Sequence, residues 1–153
     1  MIKIVLAIVI VVLLGYIGYG IEKYYKTRLK ILLDYKNFIA FVRRETDFFK
    51  SNVEELIEKY DYSTEYLKAL LTRVINNENY DRKFLSKEES IKIQSFVTEL
   101  SKADYYFKNV VIKNAEELVN QMINLAEKEK IQKGELGRKL IILLGIGLII
   151  LII

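Results

Sequence analysis

The sequence predicts an all-α protein, a small helical bundle flanked by N- and C-terminal transmembrane helices. Two observations carry that reading. Apolar residues make up 52% and charged residues 29% of the 153 positions, and the two kinds are segregated: greasy at both ends, rich in Lys, Glu and Tyr between. Glycine and proline are absent from residues 21–133, and all seven glycines (15, 18, 20, 134, 137, 145, 147) lie in or beside the apolar ends. A β-rich middle of that length needs Gly or Pro at its turns, so helices joined by Asn, Asp and Ser are expected.

Residues 4–21, "IVLAIVIVVLLGYIGYGI", form an 18-residue run without a charge, which is transmembrane length. The run is long for a signal-peptide core, and "GYIGYGIEK" offers no A-x-A cleavage pattern. An uncleaved anchor over residues 1–21 is the expectation.

The first helix continues out of this run to about residue 50. Ile21, Tyr25, Leu29, Leu32, Tyr35 with Lys36, Ile39, Val42 and Phe49 fall at three- and four-residue steps. A second helix starts at "SNVE", where Ser51 and Glu54 fit a capping box; its stripe is Val53, Leu56, Ile57 and Tyr60. "DYS" breaks it. A third runs over 63–75, with Leu67, Leu70, Leu71, Val74 and Ile75 inward, and "NNENYD" is the clearest loop. The fourth starts at Ser86 with Glu89 as capping partner, and should bury Ile93, Phe96, Val97 and Leu100.

The fifth starts at Asp104 as N-cap, with Phe107, Val111, Ala115, Leu118, Met122 and Leu125 as its stripe. It continues through "EKEKIQKGELGRK", where Gly134 and Gly137 should loosen it. The bundle is thus expected over 22–139. The last segment, 140–153, holds twelve Leu or Ile in 14 residues. It spans about 21 Å at 1.5 Å per residue, against a hydrocarbon core of about 30 Å. Reaching back to Leu136, with Arg138 and Lys139 snorkelling, makes up the difference. A core helix apolar on all sides would have to be wrapped on all sides, which the polar middle is too small to do twice.

Basic residues sit on the inner flanks of both runs: Lys23, Lys26, Arg28 and Lys30 after the first, Lys133, Arg138 and Lys139 before the second. The outer sides offer only Lys3 and the terminal amine. The positive-inside rule therefore puts the middle in the cytoplasm of a cell membrane, its basic flanks against the anionic leaflet.

Little chemistry is encoded. There is no Cys and no His, so neither a disulfide framework, nor the usual zinc sites, nor a histidine base is available. No glycine stands where a phosphate loop would need it. Glu54/Glu58 and Glu116/Glu117 read as solvated helix faces rather than metal ligands, and no cofactor, small-molecule substrate or catalytic residue is expected. A net charge of +4 is too small to propose nucleic acid. Arg43 and Arg44, with Tyr62 and Tyr80, are candidates for a partner surface. The residues alone support a non-enzymatic membrane protein presenting a helical surface; a two-span scaffold or a sensory bundle is the alternative.

Three stretches resemble the stage III sporulation protein AB family of endospore-forming bacteria. "GYGIEKYYKTRLKIL" is similar to that family's span end, lone Arg (here Arg28) and Leu-rich helix. "LSKADYYFKNVVIKNAEELVNQMINLAEKEK" resembles its Leu-Gly-x-x-Asp turn and long Ala-Glu-ended helix at Leu100, Asp104, Ala126 and Glu127, with Ser101 where the family has Gly. "GRKLIILLGIGLIILII" resembles its C-terminal signature at Lys139, Leu144 and Gly145. "ETDFFKSNVEE" lacks the family's Gly-Thr/Ser-Pro turn. The resemblance implies a helical domain similar to the cytoplasmic domain of the type II secretion platform protein. It implies a place in the mother-cell-to-forespore channel, in the mother-cell membrane around the forespore. The expected partners are a cytoplasmic secretion-type ATPase and other channel membrane proteins, and the expected action is mechanical coupling.

Overall fold

The computed structural model describes residues 2–48, 52–79 and 83–152. In chain order the helices are α1 (Ile2–Phe48), α2 (Val53–Lys59), α3 (Glu65–Ile75), α4 (Lys87–Lys102) and α5 (Tyr105–Glu129). A single π-helical segment (Lys130–Glu135) then leads into α6 (Leu136–Ile152). The described residues contain no strand, so the protein is all-α. Among them, α1 alone is long and apolar enough to cross a membrane. The second apolar end is helical from Leu136, four residues before position 140; its 17 residues span about 25 Å.

The chain divides into two compact units, Lys30–Asn124 and Met1–Leu29 with Leu125–Ile153. The first of these holds the bundle core, inside the 22–139 range read from the sequence. Residues 22–29 and 125–139 group instead with the apolar ends, because they pair with each other through the contacts described below.

In the first unit, Leu32, Tyr35, Ile39 and Val42 are buried as the α1 spacing predicts, joined by Ile31 and Phe38. Val53, Leu56 and Ile57 of α2, Leu67, Leu70, Leu71 and Val74 of α3, and Ile93, Phe96, Val97 and Leu100 of α4 are buried too, with Tyr35 of α1 edge-on to Phe96 of α4. Fully burying one such side chain stabilises by about 1.5–3 kcal/mol. On α5 the outcome differs from the predicted stripe. Val111, Ala115 and Met122 are buried, but the core line also takes Ile112, Val119 and Ile123, and leaves Phe107, Leu118 and Leu125 exposed. The sequence offers adjacent apolar pairs at 111/112, 118/119 and 122/123; both members of the first and last are buried, and at 118/119 Val119 alone goes in.

The helix ends follow local chemistry. Ser86 and Glu89 form the expected capping box: the Ser86 hydroxyl accepts the Glu89 N–H at 3.1 Å and the Glu89 carboxylate accepts the Ser86 N–H at 2.8 Å. Asp104 caps α5 by accepting the Phe107 N–H at 2.8 Å. α2 is a correction. Its N-cap is Asn52, whose side chain accepts the Val53 N–H, so Glu54 stands one position too early for the predicted box; Ser51 lies outside the described residues. After α3, the glycine-free chain turns at Asn77, the one described non-glycine residue with positive φ (54°). The Glu78 N–H reaches Arg73 O at 2.9 Å and the Asn77 N–H reaches Val74 O at 3.3 Å. That is a Schellman closure with Asn in the glycine position.

Sequence spacing gave no sign of the polar centre of this unit. Asp34 is 2% exposed, and its carboxylate accepts the Thr64 hydroxyl (2.7 Å), the Thr64 N–H (2.9 Å), the Tyr60 hydroxyl (3.1 Å) and the Ser63 N–H (3.2 Å). Thr64 is the N-cap of α3 but caps nothing with its own side chain. A carboxylate on α1 thus fastens the α2–α3 connection and the α3 N-terminus, where negative charge is favoured.

Candidate membrane-interface site

The second unit is an antiparallel helix pair. As α1 runs forward through Leu14, Gly18, Tyr25 and Arg28, its partners run backward through Gly145, Arg138, Gly134 and Glu129. Glycine lets the backbones close in. A Cβ at Gly134 would sit 3.4 Å from the Tyr25 Cβ, and one at Gly145 would sit 3.2 Å from the Leu14 Cδ1. Small residues of this kind serve helix contacts in lipid, where little hydrophobic force acts between helices. Gly134 lies in the π-helical segment, so the predicted loosening takes the form of one wide turn. Gly137 faces open space.

Two carboxylates bind the pair together. Glu22 on α1, its side chain 9% exposed, takes Arg138 of α6 and Lys26 one turn along, each at 2.6 Å. Glu129 at the end of α5 takes Arg28 of α1, and Lys133 at 2.6 Å. Lys26, then Arg138, hold the Glu22 carboxyl below the usual carboxylate range. Lys133, then Arg28, do the same for Glu129, which in return raises the Lys133 ammonium. Each site is a three-charge bridge with one contact along a helix and one across.

Beyond the Glu22–Arg138 pair, toward the chain ends, the surface changes character. Val5, Leu6, Ile8, Val9, Val12, Leu13 and Ile17 are exposed on α1, and Leu140, Leu143, Leu144, Ile146 and Ile150 on α6. Tyr16 and Tyr19 are exposed at the inner edge of this apolar length, Tyr16 at 78%. Soluble monomers rarely expose contiguous apolar area of this kind.

Of the basic flanks, Lys23, Lys30 and Lys139 are exposed and, among the described residues, have no ion-pair partner. Lys26, Lys133 and Arg138 are bound to carboxylates. Arg28 is a correction to the simple flank reading: its side chain is 8% exposed and engaged with Glu129, so it is an interhelical fastener and not a solvent-facing cation. The candidate partner surface also changes. Tyr62 donates its hydroxyl to Ile57 O at 2.9 Å and packs on Phe38 and Tyr60; burial raises its hydroxyl pKa above the ordinary range. Its hydroxyl and ring are thus both engaged within the bundle. Arg43 pairs with Glu116 at 2.8 Å, Arg44 is exposed, and Tyr80 lies outside the described residues. Sequence reasoning passed over Glu22, Glu129 and Asp34. The only signals for the first two were Lys26 and Lys133 four residues on, a spacing that favours Glu–Lys pairs.

Compared with protein-family models, curated proteins and solved structures, the chain matches none.

Proposed function

We propose that this protein is a membrane-anchored, non-enzymatic coupler. Its two apolar ends enter the bilayer as paired helices, and its helical bundle, residues 30–124, engages a cytoplasmic secretion-type ATPase. In the fuller form of the reading, implied by the resemblance to the stage III sporulation protein AB family, it belongs to the mother-cell-to-forespore channel. There it would link the ATPase to membrane partners from the mother-cell membrane.

The observation that carries the reading is the continuity of two helical runs. α1 supplies both core residues of the bundle (Ile31 to Val42) and the exposed apolar length from Val5 to Ile17. The run from α5 through the π-helical segment into α6 likewise supplies both Val111 to Ile123 in the core and the exposed Leu140 to Ile150. Displacement of the bundle by a partner would enter the membrane along two helices without crossing a loop. An exposed apolar cluster on the bundle, Tyr106, Phe107 and Val110 beside Lys102, provides a surface on which a partner could be held.

The test is photocrosslinking in membranes, with a photoreactive amino acid at position 106 or 107 of the bundle, or at position 5 or 150. ATPase adducts from 106 and 107 are expected. Adducts confined to 5 and 150 would overturn the coupler reading, as would membrane-integrated protein that gave no ATPase adduct from any bundle position.

A further inference from the structure

The antiparallel pair separates its cations into two classes, and we infer that Lys23 and Lys139 form an anionic-phospholipid contact at the inner rim of the membrane hairpin, while Lys26 and Lys133 do not. This rests on the membrane reading above and goes beyond it by assigning the lipid contact to particular side chains.

The placement follows from one ion pair. Glu22 and Arg138 meet across the helices at 2.6 Å. Lys23 follows Glu22 and Lys139 follows Arg138, but Arg138 packs against Gly18, four residues before Glu22, so the two lysines lie about 5–9 Å apart in height. One residue also turns the helix by about 100°. Because the two helices run in opposite directions, that turn carries both lysines to the same side of the pair. Tyr16, Tyr19 and Lys23 follow at i, i+3 and i+7, on one face of α1. That side therefore presents two exposed tyrosines with the exposed Lys139 ammonium near their level, and the exposed Lys23 ammonium beyond them, where the apolar length ends. Tyr at the headgroup level with Lys just beyond it is the arrangement that an anionic interface selects.

Lys26 and Lys133 have their charge answered within the protein. Lys26 shares Glu22 with Arg138, and Lys133 shares Glu129 with Arg28. A lysine already bound to a carboxylate offers less to a phosphodiester than one without a partner. Charge complementarity thus commits the surface to a phospholipid headgroup of negative charge.

The experiment uses the full chain in vesicles of phosphatidylcholine with a minor share of phosphatidylglycerol. Spin-labelled versions of each lipid report relative association with the protein. The wild type should prefer phosphatidylglycerol, with the preference falling in 1 M salt. K23Q/K139Q should lose it, by about fivefold per lysine removed, while K26Q/K133Q, which removes the same formal charge, should keep it. Equal loss in both double variants would mean a diffuse charge effect and would overturn the assignment, as would full retention in K23Q/K139Q. Alkali-extractable wild-type protein in pure phosphatidylcholine vesicles would instead overturn the membrane reading beneath it.

Discussion

Arg28 and Glu129 lie 101 positions apart in the sequence and form an ion pair in which the arginine side chain is 8% exposed. Removing one member of a pair held this far from water is costly. The pair therefore reports the register of α1 against the end of α5 more sensitively than any exposed contact.

Substituting one partner should be costly and substituting both much less so. Arg28→Met leaves Glu129 with Lys133, and Glu129→Gln leaves Arg28 without its carboxylate. Glu129→Gln is expected to destabilise by about 3 kcal/mol, and the R28M/E129Q double variant by less than the sum of the single changes. Denaturant unfolding of the four proteins in mild detergent, read as a double-mutant cycle, measures the coupling. Strict additivity would mean that the two side chains do not interact.

The two bridged carboxylates make the helix pair sensitive to acid. Both Glu22 and Glu129 have folded pKa values below their ordinary ones. Their contribution is therefore fully present above the unfolded carboxylate pKa of about 4.3, and is lost as pH falls through the depressed folded values. Lys133 is raised, so its share is complete below about 10.4 and is lost as pH rises through the folded value. Carboxyl carbon NMR on full-length protein should place Glu22 and Glu129 among the last carboxylates to protonate, with loosening of the pair below pH about 4. Titration of both at the ordinary value would contradict the bridges.

Glycines that touch a partner should resist enlargement, and those that face open space should not. Gly134→Leu and Gly145→Leu drive a side chain into Tyr25 and Leu14, whereas nothing lies within 4 Å of a Cβ at Gly137 or Gly147. Spin labels at Tyr16 and Leu143, measured by double electron–electron resonance, should widen in the first two variants and hold in the last two. The same widening in all four would point to lost flexibility and not to lost contact.

Asp34 should be the least replaceable polar residue of the bundle. Asp34→Asn keeps the shape but turns an amide toward groups that all donate hydrogen bonds: Thr64 N–H and hydroxyl, Ser63 N–H and Tyr60 hydroxyl. A cost of about 3 kcal/mol is expected from leaving buried donors unsatisfied, seen as lower denaturant resistance of the full chain in detergent. Glu54→Gln, on an exposed helix face, should fall within about 0.5 kcal/mol of wild type.

Some features were readable because the interactions that create them are local. Ser86 with Glu89, and Asp104 with the Phe107 N–H, join groups three residues apart, so composition and spacing are enough to find them. The α4 stripe of Ile93, Phe96, Val97 and Leu100 is another case, since those positions allow only one apolar face. α5 shows where spacing stops. Its apolar residues come as neighbours, and a period of 3.6 accommodates Leu118 or Val119 equally well. Asn52 in place of Ser51 is the same degeneracy at a helix start, where two adjacent residues can both cap.

The sequence by itself determined that the described chain is built from helices, where most of them start, and that its apolar residues collect at two ends. Those properties follow from backbone propensity and from contacts within one helical turn. Only the tertiary structure decided that Glu22 meets Arg138, that Arg28 is nearly buried against Glu129, that Asp34 holds Thr64, and that Lys23 and Lys139 are left facing outward. Each of these depends on the register of one helix against another, and a repeating apolar pattern is compatible with several registers until close packing and charge pairing select one.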